Sequence, residues 1–231
     1  SYRGDMTNTV NDDIREEITG LFIGDRTLGD SLAPPLLFVA VNAVWSLGVA
    51  SAVAIAAGVL VALWRIRKGQ QIVYAVAGIG AVAFAAFLAL RSGRAESYFL
   101  PGIVSGLAYA GGALISILVK RPLSGWASWA YRRWPLDWYW RDDVRPAYTL
   151  ASWVWFWYFA IRGGVSAWLF VVEQPEALAV WKTITSWPTI VPLLYLSYRL
   201  GVAKRDELGG PSVEEHLAGA APPYEGGQRR F

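Results

Sequence analysis

Cysteine is absent from this 231-residue chain, and histidine occurs once, at His216. The first absence removes disulfides, thiolate metal sites and cysteine nucleophiles from consideration. The second leaves no material for a Ser-His-Asp triad, a zinc site, axial haem ligation or a histidine proton relay inside a membrane, because His216 follows the last apolar run. Charge is scarce too: Asp, Glu, Lys and Arg make up 17% of the chain against 55% hydrophobic residues. That balance is too apolar for an ordinary soluble domain of this size, and a formal net charge of +3 is too small to argue for nucleic acid. No cofactor is expected, and no enzymatic activity. There is also no secretory signal pattern, since the first apolar run follows a charged stretch of about thirty residues.

What the chain has instead is long apolar runs. A spanning helix needs about 20 mainly apolar residues, and the pattern predicts an all-α, polytopic transmembrane bundle of about six segments. The first, Leu36 to Trp45 after Pro34 and Pro35, is short or re-entrant and forms a hairpin with the second, Val49 to Ile66. The third is Ile72 to Leu90. The fourth, Tyr98 to Val119, carries Gly102, Gly106 and Ala110 at four-residue spacing, a small-residue packing pattern. The fifth covers Ala147 to Val172. The sixth runs from Glu176 to Leu200, where Pro188 and Pro192 predict a kink. These segments make one domain over 33–203, containing an aromatic and basic loop at 120–146. A preceding segment, 1–32, reads as an amphipathic surface helix opened by Thr9 to Asp12, with Val10, Ile14, Ile18 and Leu21 on one face. The tail, 204–231, reads as a flexible extension.

Lysines and arginines cluster after segments two, four and six, while the other side has only Arg91 and Arg94. The positive-inside rule then puts both termini in the cytoplasm. The 120–146 loop sets Trp126, Trp129, Trp134, Trp138 and Trp140 among Arg132, Arg133 and other basic residues. An aromatic belt at the cytoplasmic face, with anionic lipids as partners, accounts for this composition. Asp142 and Asp143 are expected to pair with Arg141 and Arg145 rather than bind magnesium. Gly78-Ile-Gly80-Ala-Val-Ala83 fits a dinucleotide pattern but lies inside an apolar segment rather than after a strand.

Arg162 is the sharpest local signal. A guanidinium near the centre of a spanning run costs about 2.5 to 3.5 kcal/mol on insertion scales and usually faces a bundle interior or a water-filled path. Asn42, Arg162, Gly163, Gly164, Thr183, Thr185 and Pro188 are therefore candidates to line a cavity or pathway, and Arg91, Arg94 and Glu96 to form its entrance. Two readings of Arg162 stay open. It supplies a fixed positive charge to a passing solute, or it hydrogen-bonds freed carbonyls or a buried carboxylate such as Glu96 or Glu173.

The stretch Arg91-Ser-Gly-Arg-Ala-Glu-Ser-Tyr-Phe-Leu-Pro-Gly102, preceded by Pro35 to Asn42 and followed by Val119-Lys-Arg-Pro122, resembles an actinobacterial family of polytopic membrane proteins defined only as a domain of unknown function. Arg162 and the Trp187-Pro188 pair carry the same likeness, which covers roughly residues 30 to 200. A looser similarity extends to intracellular septation protein A. The resemblance implies a multi-pass protein of the bacterial cytoplasmic membrane and supplies no catalytic residues. The resulting expectation is a self-associating channel or carrier for a small solute or ion. The alternatives are a scaffold or accessory subunit of an envelope or division complex, and a lipid-acting enzyme using Asp137, Asp142 or Asp143.

Overall fold

The computed structural model describes residues 28–69 and 71–225; the expected amphipathic segment at 1–32 lies almost wholly outside them. Among the described residues, ten α-helices and one 3-10 turn make up the regular structure, with no strand. The helices are α1 (Leu28–Val44), α2 (Leu47–Arg67), α3 (Ile72–Ser92), α4 (Leu100–Leu118), α5 (Leu123–Arg132), α6 (Leu136–Tyr139), α7 (Arg145–Val171), α8 (Pro175–Ile184), α9 (Trp187–Leu208) and α10 (Val213–Leu217), with the 3-10 turn (Ala95–Phe99) between α3 and α4. Among the described residues, four stretches are long and apolar enough to cross a membrane: Leu47–Arg67, Ile72–Ser92, Ala95–Leu118 and Arg145–Val171. The sequence expectation was about six.

The two shortfalls have separate causes. In α1 the apolar part, Pro34–Val44, is too short for a full crossing. Pro34 and Pro35 lie inside this helix rather than at its start. The expected sixth segment is not a kinked helix but two helices, divided at Thr185 and Ser186. Pro188 does not bend a running helix; it occupies the first turn of α9, where the missing N–H has no intrahelical partner to lose.

The chain divides into two compact units, one containing residues Asp25–Gly106 and Arg162–Pro188. In it α1 packs on α2, α2 on α3, α3 on the 3-10 turn, and α8 on both α1 and the turn. Ser46 caps α2, accepting from the Val49 N–H at 3.4 Å. Small residues at every fourth position, Ala50, Ala54, Gly58 and Ala62, are buried along one face of α2. A Cβ on Gly58 would lie 3.5 Å from Val82, so this stripe is where α3 approaches. Of the small residues singled out in α4, Gly106 and Ala110 are buried, whereas Gly102 is exposed, and the space beside it holds the Lys182 ammonium, 2.6 Å from where a Cβ would be. Phe38 and Tyr98 stack at 4.2 Å between centroids at the centre of the core, with Leu169 and Leu178 packed in the same cluster.

The other unit contains Leu107–Ile161 and the chain from Thr189 onward. Here α4 ends with Lys120 in the left-handed region (φ 57°), and the Arg121 N–H reaches back to the Ser116 carbonyl at 2.8 Å. Ser116 also accepts from the Leu123 N–H at 2.9 Å, fixing the turn into α5. The core of this unit is aromatic: Trp138, Tyr139, Val144, Ala147, Tyr148 and Ala151, closed by Val213. Residues 206–225 of the tail are therefore not a free extension. A capping box at Ser212 and Glu215 opens α10, and Val213 enters the core.

Candidate functional site

Charged groups converge within the first unit. The 3-10 turn buries Glu96, which is 5% exposed, and the Arg94 side chain pairs with it. The same guanidinium reaches Glu173 at 3.1 Å and lies over the Phe170 ring. Glu173 closes α7 in the left-handed conformation (φ 56°), with the Gln174 N–H bonded to the Leu169 carbonyl at 3.1 Å, and this turn aims its carboxylate at Arg94. Arg94 thus takes up both carboxylates that were candidate partners for Arg162.

Arg162 finds a different partner. Its Nε donates to the Thr185 hydroxyl at 3.2 Å, while its own carbonyl accepts from the Ser166 hydroxyl at 2.7 Å and the Trp181 indole N–H at 3.2 Å. Lys182 donates to the Phe99 carbonyl at 3.2 Å and lies within the repulsive field of Arg162. The two cations have only neutral hydrogen-bond partners among the described residues. Thr183 and Thr185 donate their hydroxyl protons to the Ala179 and Trp181 carbonyls, at 2.8 and 2.6 Å, so they offer oxygen acceptors rather than free donors.

Of the other expected pathway residues, Gly163 is buried beside Arg162, Gly164 opens onto free space, Pro188 is exposed, and Asn42 is half-buried on α1. The expected entrance group separates: Arg94 and Glu96 form one ion pair, while Arg91 is exposed at the end of α3. Lys182 was visible as a polar residue in an apolar run, but nothing in the sequence placed it beside Gly102.

The second unit gathers the aromatic and basic loop. Trp126 packs edge-on against Trp129 (5.8 Å) and tilted against Trp140 (5.4 Å); Arg121 covers Trp140 at 4.9 Å, Arg133 covers Trp129 at 4.7 Å, and Arg132 covers Trp134 at 4.9 Å. Trp138 departs from the expected lipid belt. It is fully buried, its indole N–H donates to the Pro211 carbonyl at 3.0 Å, and a buried donor of this kind needs such an acceptor. The acidic residues of the loop are all engaged. Asp142 pairs with Arg145 at 2.6 Å, Asp143 with Arg141 at 2.7 Å, and Asp137 with His216 at 2.8 Å. The Asp143 bond holds the Arg141 guanidinium above its ordinary pKa, and the His216 bond holds the Asp137 carboxyl below its own. Burial pushes the Tyr139 phenol up, opposed by its hydrogen bond with Ser128. No cluster of three or more metal-ligating side chains occurs among the described residues.

Residues 23–206 match the family described as "Protein of unknown function (DUF3159)", and the chain belongs to that family. The match bears on neither organism nor the likeness to septation protein A. No curated protein and no solved structure matches the chain.

Proposed function

We propose that this member of the DUF3159 family forms a path for a small solute or ion across the bacterial cytoplasmic membrane, without enzymatic activity, as a homo-oligomer with both termini in the cytoplasm. The supporting observation is the pair Arg162 and Lys182. Both are half-buried, both rest on neutral groups, and the nearby carboxylates Glu96 and Glu173 are taken by Arg94. Two uncompensated cations at one place are costly in a purely structural role, where a single carboxylate would lower the cost. An anionic solute would supply the missing charge. The break between α8 and α9 leaves irregular backbone at Thr185 and Ser186, a feature tolerated at membrane depth where it lines a cavity. Flux of small anions into proteoliposomes, compared between the intact protein and Arg162→Leu, tests the proposal. Loss of flux in the variant supports it, and no movement of any solute by the intact protein sinks it.

A second reading, a scaffold or accessory subunit, is favoured by the clasp between the 120–146 loop and the tail, which builds a folded module beyond what a solute path needs. Purification in mild detergent separates the readings. A stoichiometric foreign subunit supports the accessory role, and a homo-oligomer active in flux supports the path.

A further inference from the structure

Between the ends of two candidate spans, at Leu118 and Arg145, lies a continuous row of side chains: Arg121, Trp140, Trp126, Trp129 and Arg133. Each guanidinium caps one end of the row on a tryptophan face. The row depends on Gly125, because a Cβ there would lie 3.1 Å from the Trp140 ring. Arg133 takes a left-handed backbone (φ 58°), a conformation that is cheaper for glycine, and from it reaches Trp129. No carboxylate of the loop is left over for either end, since Asp137, Asp142 and Asp143 are held by His216, Arg145 and Arg141.

We infer that this row is a seat for anionic phospholipid headgroups, with Arg121 and Arg133 binding the phosphates. The position follows from the adjoining span ends, which put the loop at the depth where tryptophan rings favour the headgroup region. Trp126 of the row is itself exposed, as are Leu123 and Tyr131 on the same helix, so the helix that carries the row offers apolar surface to the acyl boundary. The ligand class follows from the arginines. A planar guanidinium held on a ring keeps its N–H edges outward and matches a phosphate through two parallel hydrogen bonds. An acidic protein segment would meet the same charges, but the span ends on both sides argue for lipid.

The test uses the full chain in detergent, exposed to equal amounts of dioleoyl phosphatidylglycerol and dioleoyl phosphatidylcholine, with retained lipid counted by native mass spectrometry. Phosphatidylglycerol should be retained preferentially. R121Q/R133Q should lower that preference by up to roughly thirtyfold, the effect of two positive charges near an anionic surface. R67Q/K68Q, which removes two exposed cations at the end of α2 where only Lys68 rests on a tryptophan, should lower it less, and an equal loss in the two variants overturns the inference. Equal retention of the two lipids by the wild type overturns the inference, as does an R121Q/R133Q protein that keeps the full preference. Should R121Q/R133Q fail to fold, brominated lipids decide the matter on the wild type. Stronger tryptophan quenching by brominated phosphatidylglycerol than by brominated phosphatidylcholine supports the seat, and equal quenching overturns it.

Discussion

The Nε of Arg162 donates to the hydroxyl of Thr185 at 3.2 Å, joining a long apolar helix to the C-terminal end of a short one. This bond satisfies one N–H of the guanidinium without neutralising its charge. Conversion of Thr185 to Val should therefore leave the charge in place but free its orientation. The hydroxyl removed makes two hydrogen bonds, one with the guanidinium and one with the Trp181 carbonyl, together worth about 2 to 4 kcal/mol, so thermal unfolding in detergent should shift down by several degrees. A collapse of the fold would instead mean that Thr185 has a larger structural role.

The Arg94 cluster predicts an order of stabilities. Glu96 has a side chain 6% exposed, whereas that of Glu173 is 66% exposed. Arg94→Gln strands the buried carboxylate and should lower the unfolding temperature clearly, while Glu173→Gln should have little effect. Adding Glu96→Gln to Arg94→Gln should recover part of the loss, because the stranded charge is then removed. A double variant less stable than Arg94→Gln alone would contradict this account.

Proteolysis reports on the clasp of the tail. Trp138→Phe keeps most of the ring packing but deletes the bond to the Pro211 carbonyl, a loss of about 1 kcal/mol. Trp138→Ala should cost about 3 to 5 kcal/mol as a cavity in an aromatic core. Limited proteolysis should cut residues 209–225 readily in the alanine variant and slowly in the phenylalanine variant. Gly210→Ala should behave like Trp138→Ala, since its Cβ would lie 2.5 Å from the Asp143 carbonyl oxygen, a backbone atom that cannot move aside cheaply. If neither variant raises cleavage, the clasp contributes nothing to holding the tail.

Acid should loosen the same clasp. His216 holds the Asp137 carboxyl below its ordinary pKa, so the stability it contributes is present above about pH 4 and fades as pH falls through the lowered value. The Asp137 side chain is 75% exposed, which limits the effect to about 1 kcal/mol or less. Tail cleavage followed from pH 6 downward, using an acid-stable protease, should rise in the wild type below pH 4. In Asp137→Asn, that part of the pH dependence should vanish.

Much of this structure was legible in the sequence, and what was legible was local. The absence of strands among the described residues and most helix positions follow from the apolar runs, and the pairs Arg94 with Glu96, Arg141 with Asp143 and Arg145 with Asp142 lie two or three residues apart. The partners of Arg162 and Trp138 were hidden because they lie 23 and 73 residues away along the chain. Glu96 and Glu173 looked available to Arg162 only while Arg94 was assigned to an entrance site. The division of the expected sixth segment was missed because two prolines read as kinks, whereas Pro188 belongs to a helix start. Trp138 was counted with its neighbours as a lipid-facing ring because composition does not tell an indole buried under a folded tail from one at the headgroups.

The most direct test of the central claim is flux of small anions through proteoliposomes containing the full chain, measured side by side with Arg162→Leu and Arg162→Lys. A path that uses the charge of Arg162 predicts movement of at least one anion by the intact protein, loss of it in Arg162→Leu, and partial retention in Arg162→Lys. Intact protein that moves no solute across a broad panel, or an Arg162→Leu variant as active as the wild type, would contradict it.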